Sequence, residues 1–266
     1  MKTPLKYFGG KKTVLKPLSL LLPPGYGAYI EPFCGSAALF FHVEPVDHTC
    51  ILGDASFLTM NYWKQVKENG EKMMKELQSV PYCFESFDEA RNHLKEWKNG
   101  TFAGSEYQLA CWLMIGRCMG FKGAYNKGFG KDAVGIKKGC KVRTWGRETL
   151  RLLEASDRLQ SVRLFHGDYK EFIQDASVGD FIFCDPPYPG VTQDQYGKSL
   201  AFSQSDYIEM IERLQKIGAY FMATCYPETA ELFPFLRRHD VILEKRAPAG
   251  GGNVGVRTEC ILRNYD

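Results

Sequence analysis

The chain reads as an α/β protein, and three observations predict it. Short apolar, β-rich runs alternate with longer amphipathic segments along its 266 residues. Several of the runs stop abruptly at a turn that carries an acid: Glu31, Asp54, Asp168 and Asp185. Two further runs close the chain, Val241 to Arg246 and Val254 to Arg263, and are expected to pair antiparallel at one side of the sheet. A chain of this length accommodates one large domain, or a core domain with a modest insertion.

The elements follow in order. Leu5-Lys6-Tyr7-Phe8-Gly9-Gly10-Lys11-Lys12 sets a Gly-Gly pair between aromatics and lysines, either a backbone-exposed turn that a ligand approaches closely or a flexible N-terminal turn. Ala28 to Glu31 is strand-like, Pro32-Phe33-Cys34-Gly35-Ser36 is a turn, and Ala37 to His42 is a helical run. This unit resembles the first βα turn of a nucleotide-binding sheet, although it carries neither G-x-G-x-x-G nor a P-loop. Gly35 admits backbone N–H groups to a ligand and Phe33 lines an apolar pocket; alternatively they are a turn residue and a core aromatic. Cys50 to Asp54 is a second strand whose terminal acid suits ribose hydroxyls, or caps the helix that begins near Phe57.

Residues 57–79, 86–98 and 105–119 carry helical periodicity. The character then changes. Residues 116–146 hold eight glycines, and from Arg117 to Arg151 there are ten Lys or Arg against Asp132 and Glu148. With Phe121, Tyr125, Phe129 and Trp145 interspersed, this is a cationic, hairpin-like loop suited to tracking phosphates and entering nucleic acid. A helix from Arg147 to Leu159 precedes a strand, Val162 to His166, that ends in Gly167-Asp168-Tyr169. Asp168 and Tyr169 are candidates to hold a planar amine-bearing ring, or else they close a turn. Beyond a short helix, Phe181 to Cys184 is a buried strand, and residues 189–204 form a polar loop able to close over a site. Helix 205–217, strand Ala219 to Cys225 and helix Glu228 to Arg238 complete the alternation.

The chemistry concentrates at Asp185-Pro186-Pro187-Tyr188, directly after the strand Phe181 to Cys184. Ligands in open α/β sheets bind at the carboxyl ends of strands. The prolines stiffen the turn and remove two N–H donors, leaving carbonyls that accept. Asp185 adds a carboxylate and Tyr188 a flat π-face. Two acceptors beside a stacking platform make a receptor for an aromatic amine, and the exocyclic amino group of a nucleobase fits.

Composition excludes several alternatives. A net charge of +3 does not by itself demand a nucleic-acid partner; the clustering of the charge is what points to one. Nine cysteines without C-x-x-C pairs, several in apolar runs, read as buried free thiols of a reducing cytoplasm rather than disulfides or zinc ligands. The five histidines show no H-x-x-x-H or H-E-x-x-H spacing, so no metal site is expected. Neither a signal-peptide pattern nor a run of membrane-span length is present, so no membrane association is expected.

Taken together, Lys6 to Lys11, Glu31-Pro32-Phe33-Cys34-Gly35, Asp54, Gly167-Asp168-Tyr169 and Asp185-Pro186-Pro187-Tyr188 resemble, in type and in order, the DNA adenine N6-methyltransferases of the group that includes the bacterial and phage GATC methylases. The resemblance spans nearly the whole chain. It implies a Rossmann-like sheet that binds S-adenosylmethionine (SAM), with a small, mostly helical target-recognition domain carrying a basic hairpin or loop. Residues 1–56 and 160–266 would form the SAM-binding catalytic domain, and 57–159 the recognition insertion. Tyr7, Lys11, Glu31, Phe33, Gly35, Asp54, Asp168 and Tyr169 would bind the cofactor. Asp185 and the Pro186 carbonyl, in the turn stiffened by Pro187, would hold N6 of an adenine flipped out of double-stranded DNA, and Tyr188 would stack on it. Arg117, Lys122, Tyr125, Asn126 and Lys127 are the candidate DNA contacts. The chain departs from the group in placing Ala37 where a second glycine is usual, and in a shortened recognition segment that leaves the recognition sequence open. By the same resemblance the protein would be cytoplasmic and encoded by a bacterium or phage.

Rival readings are a methyltransferase acting on cytosine N4, RNA adenine or a protein amide, and a non-catalytic nucleic-acid-binding module that keeps the fold. The intact tetrapeptide and the near-complete set of cofactor motifs favour the enzyme acting on DNA adenine.

Overall fold

The computed structural model describes residues 1–7, 11, 14–43, 48–130, 140–189, 201–244 and 256–266, with backbone alone at 140–143 and 244. Phe8, Gly9 and Gly10 of the N-terminal motif, residues 131–139 of the basic segment and residues 190–200 of the polar loop lie outside the described residues. The chain divides into two compact units, one of Met1–Gly10, Gly35–Pro45 and Ser56–His166, the other of Lys11–Cys34, Val46–Ala55 and Gly167–Asp266.

The second unit carries the sheet. β1 (Tyr29–Glu31) lies between β2 (Cys50–Asp54) and β4 (Phe181–Cys184), parallel to both, with Ile30 opposite Ile51 on one side and Ile182 on the other. β5 (Tyr220–Cys225) is parallel to β4, and β7 (Val256–Arg263) and β6 (Arg237–Glu244) follow antiparallel. Across this unit the order is thus β2-β1-β4-β5-β7-β6. β4 is buried at all four positions, as expected of a parallel strand covered on both faces. The chain leaves β1 toward one neighbour and returns on its other side. The β1/β4 boundary is therefore a topological switch point, where the carboxyl ends of the strands open a crevice.

Helices α1 (Leu15–Leu20), α7 (Tyr169–Ile173), α8 (Gln204–Ile217) and α9 (Pro227–Ala230) belong to this unit. α8 starts in a capping box of Ser203 and Asp206 and buries Tyr207, Met210, Ile211 and Leu214. The Tyr207 hydroxyl donates to the Thr224 carbonyl at 3.2 Å, which ties α8 to β5.

The first unit is mainly helical: α2 (Ala38–His42), α3 (Phe57–Ser79), α4 (Phe84–Lys98), α5 (Glu106–Met119) and α6 (Cys140–Leu159), with β3 (Val162–His166) packed near α3 and α6. Its core holds Phe41, Tyr62, Trp63 and Phe87. All the helices expected in residues 57–159 fall here, together with residues 1–10, 35–45 and β3.

Helix α1 is not anticipated from the sequence, and three of the expected elements differ in detail. The α3 N-cap is Ser56, whose hydroxyl accepts from the Thr59 N–H, and not Asp54. α6 begins at Cys140, seven positions before Arg147. The helix expected from Glu228 to Arg238 ends at Ala230, and β6 starts at Arg237 instead of Val241. Pro234 lacks the N–H that a continuing helix needs, and the chain beyond it gains eight paired positions along β7.

Candidate active site

Asp185 and Tyr188 leave β4 at the switch point, and Lys11 meets both. The Lys11 ammonium lies 2.9 Å from Oδ1 of Asp185, donates to the Tyr188 hydroxyl at 2.5 Å and stands 3.5 Å from Oε2 of Glu259. The Glu259 approach is an ion pair without hydrogen-bond geometry, since Oε2 has no hydrogen-bond partner. Thr224, one strand over on β5, donates its hydroxyl to Oδ1 of Asp185 at 2.5 Å. Oδ1 thus accepts a hydrogen bond from Thr224 and is ion-paired with Lys11. Oδ2 has no partner among the described residues and belongs to a side chain that is 23% exposed.

Burial alone works against a charged Lys11. The carboxylates of Asp185 and Glu259 and the accepting hydroxyl of Tyr188 outweigh it and hold the ammonium well above its ordinary pKa. Tyr188 is held up chiefly by burial, against the opposing pull of Lys11. Lys11 is therefore a charged donor and Tyr188 a neutral phenol at physiological pH. The ammonium also lies 4.4 Å from the centroid of the Tyr188 ring, and the ring meets Tyr226 edge-on at 4.7 Å. The Arg257 guanidinium stacks over Tyr226 at 4.5 Å and lies 3.5 Å from Oε1 of Glu259.

A second group follows β1 and β2. The Cys34 N–H bonds the Gly53 carbonyl at 2.8 Å, and the Gly167 N–H reaches the Asp54 carbonyl at 3.4 Å, so three strand-end segments converge. Phe33, Tyr169 and Phe202 form an aromatic cluster, with Phe33 at 5.2 Å from Tyr169 and 5.5 Å from Phe202. The Tyr169 hydroxyl is buried and has no hydrogen-bond partner among the described residues. Asp168 caps α7, its Oδ1 accepting from the Lys170 N–H at 2.8 Å. Glu31 is 1% exposed and accepts from the Tyr29 hydroxyl at 2.5 Å. The Cys34 thiol nearby is pushed well above its ordinary pKa by burial, with Asp54 and Glu31 adding to the effect.

In the first unit, Gly35 takes φ +47 and its Cα faces the Tyr7 ring, which a Cβ there would meet at 3.4 Å. The Trp63 indole N–H donates to the Gly35 carbonyl at 2.9 Å. Ala37 adopts φ 48, a left-handed conformation that a glycine would hold without strain. The chain still forms this turn.

The recognition segment is a closed loop. Phe121 N–H bonds Gly128 O at 2.9 Å, Gly130 N–H bonds Met119 O at 2.8 Å, and Gly120 bridges Phe129 antiparallel. Phe129 anchors it among Tyr82, Phe84 and Phe87. Lys122, Asn126 and Lys127 are exposed, Tyr125 is half-buried and Arg117 is buried.

Thr224, Glu259, Tyr226, Arg257 and Phe202 are additions that sequence reasoning did not single out. Two signals were available. Thr224-Cys225-Tyr226 closes the strand next to β4, and Glu259 is the one acid of β7, directly before the apolar Cys260-Ile261-Leu262. Among the described residues no group of three or more His, Cys, Asp or Glu is placed to hold a metal ion, and no helix is long and apolar enough to cross a membrane.

A type II methyltransferase of Lactococcus lactis subsp. cremoris is 24% identical over 98% of this chain and 94% of its own. A DNA N-6-adenine-methyltransferase of Escherichia phage P1 is 27% identical over 69% of this chain, although over only 23% of its own. Among solved structures, a SAM-dependent methyltransferase from Agrobacterium tumefaciens aligns over 94% of this chain and 59% of its own, with a TM-score of 0.43 at 12% identity. The model of the D12 class N6 adenine-specific DNA methyltransferases matches residues 7–233, and the chain belongs to that family.

Proposed function

We propose that this chain methylates N6 of adenine at a defined sequence in duplex DNA, on a base flipped out of the helix, with SAM as the donor. The family implies DNA as substrate and SAM as cofactor. The observation that carries the finer reading is the geometry at Asp185: one carboxylate oxygen clamped by Lys11 and Thr224, the other without a partner among the described residues.

Phe33, Asp54 and Tyr169 are the proposed cofactor contacts in the second unit, and Tyr7 and Gly35 in the first. The orphaned Tyr169 hydroxyl suits such a ligand, because a buried phenol without a partner gains a hydrogen bond when a polar molecule arrives. Gly35 stands in van der Waals contact with Tyr7, and its φ of +47 would strain any side chain at that turn. SAM supplies an electrophilic methyl group when bound.

The protein's own work is positional. Lys11 and Thr224 fix the Asp185 carboxylate in rotation, so Oδ2 presents a lone pair in one direction. With the Pro186 carbonyl it accepts both hydrogens of the adenine amine and aims the amine's weak lone pair. Alignment of this kind lowers a displacement barrier without a general base. Extruding the base costs roughly a few kcal/mol, and stacking on Tyr188 returns about 1–3 kcal/mol. Lys122, Asn126 and Lys127 meet the DNA from the exposed side of the recognition loop.

The test is expression in a bacterium free of DNA methylation, followed by modification-sensitive sequencing, beside an Asp185→Ala control. N6-methyladenine confined to one short motif and absent from the control is expected. Soluble protein that binds SAM but leaves adenine unmodified would shift the reading to cytosine, RNA or a protein amide.

A further inference from the structure

Arg117 ends α5 as a buried cation, 7% exposed. No carboxylate pairs with it among the described residues, and its Nε has no hydrogen-bond partner there. A buried charge without a counter-ion is costly, so something else must compensate it. Two aromatic faces and a carbonyl do so. The guanidinium carbon lies 4.3 Å from the centroid of the Tyr7 ring and 5.3 Å from that of Tyr125, while Nη1 donates to the Gly123 carbonyl at 3.1 Å.

The partners come from different parts of the machinery. Tyr7 belongs to the N-terminal motif and rests against Gly35. Gly123 and Tyr125 belong to the recognition loop, and Gly123, at φ +77, packs so closely on the Tyr7 backbone that a Cβ would meet it at 3.2 Å. The loop therefore touches Tyr7 directly and through Arg117. Between these contacts Lys122 is held at φ 53, exposed, with its ammonium 5.4 Å from the centroid of the Phe121 ring.

We infer that Arg117 is a positioning residue that couples cofactor binding at Tyr7 to the placement of the recognition loop. This rests on the reading of Tyr7 and Gly35 as cofactor contacts and of residues 121–127 as DNA contacts. A ligand that immobilises the Tyr7 ring fixes one wall of the guanidinium. The guanidinium in turn holds Tyr125 and the Gly123 carbonyl, and so the presentation of Lys122 and Asn126. Coupling between two binding events is reciprocal, so DNA that orders the loop favours the cofactor equally. An arginine suits the task because its planar head stacks on rings while its in-plane N–H groups bond a carbonyl; a lysine head lacks that plane.

Calorimetry on the full chain tests this, measuring affinity for S-adenosylhomocysteine alone and in the presence of saturating duplex that carries the motif the wild type methylates. The wild-type duplex effect is expected to be a tightening of about 5-fold or more. In Arg117→Lys and Arg117→Met that ratio falls toward unity while each ligand still binds by itself. Arg117→Lys keeps the charge and most of the volume, so it carries the test if Arg117→Met fails to fold. A loss of melting temperature alone does not move the ratio. An undiminished ratio in the variants, or a wild type that binds both ligands without coupling, overturns the inference and leaves the methyltransferase reading intact. A wild type that binds neither ligand overturns that reading and the inference with it.

Discussion

The ammonium of Lys11 donates to the hydroxyl of Tyr188 at 2.5 Å, across 177 positions of the chain. The same ammonium holds Asp185, so one side chain from the N-terminal motif orients both ends of the tetrapeptide. Tyr188 and Asp185 sit on a stiff turn, and Lys11 removes the rotational freedom that remains.

Thr224→Val deletes the hydroxyl donor to Oδ1 of Asp185 while filling nearly the same buried volume. A hydrogen bond to a charged group contributes about 1.5–3 kcal/mol. Single-turnover methylation should slow by roughly 10-fold or more, with the affinity for S-adenosylhomocysteine unchanged. A parallel loss of cofactor affinity would instead place Thr224 in the cofactor site.

Lys11 and Tyr188 are both shifted upward, Lys11 by its anionic surroundings in spite of burial and Tyr188 by burial itself. A group whose folded pKa is raised contributes stability that is fully present below its unfolded pKa and fades as pH climbs through the folded value. The stability gap between wild type and Lys11→Met should therefore hold from about pH 6 to 9 and begin to close only above about pH 10. Turnover should show no inflection from this pair between about pH 6 and 9. Urea unfolding and single-turnover rates across that range check both statements. A wild-type inflection near neutrality that Lys11→Met abolishes would falsify the assignment of a permanently charged Lys11.

Tyr169→Phe separates stability from binding. Its hydroxyl is buried without a partner among the described residues, so removing it relieves an unsatisfied group, and the melting temperature should stay level or rise. Affinity for S-adenosylhomocysteine should drop by about 2–10-fold, the worth of one neutral hydrogen bond. A lower melting temperature with full affinity would mean that the hydroxyl serves the fold and not the cofactor.

Much of the fold was legible in the residues. The run Phe181 to Cys184 reads as a buried strand because it is short, β-rich and closed by a turn with two prolines, and it is one. Helix α3 spans the predicted residues 57–79, and Ser105 with Gln108 announces the start of α5 as a capping box. The last helix misled: its periodicity runs to Arg238, while Pro234 and the reach of β7 decide where it stops. Local pattern records which conformations a segment favours, and pairing with a distant strand outweighs it.

The chain by itself determined the chemistry. Asp185, the two prolines and Tyr188 supply the acceptors and the ring on which the proposed amine receptor rests, properties that belong to the residues in any packing. Tertiary structure decided the partners. Only folding brings Lys11, from a distant motif, to the carboxylate of Asp185 and the phenol of Tyr188, and Thr224 and Glu259, from two other strands, to Asp185 and Lys11. Only folding turns Arg117, one cation among ten in a basic stretch, into a buried guanidinium between Tyr7 and Tyr125. Charge and type are written in the sequence; desolvation and distance, which set what a charge does, arise when remote segments pack together.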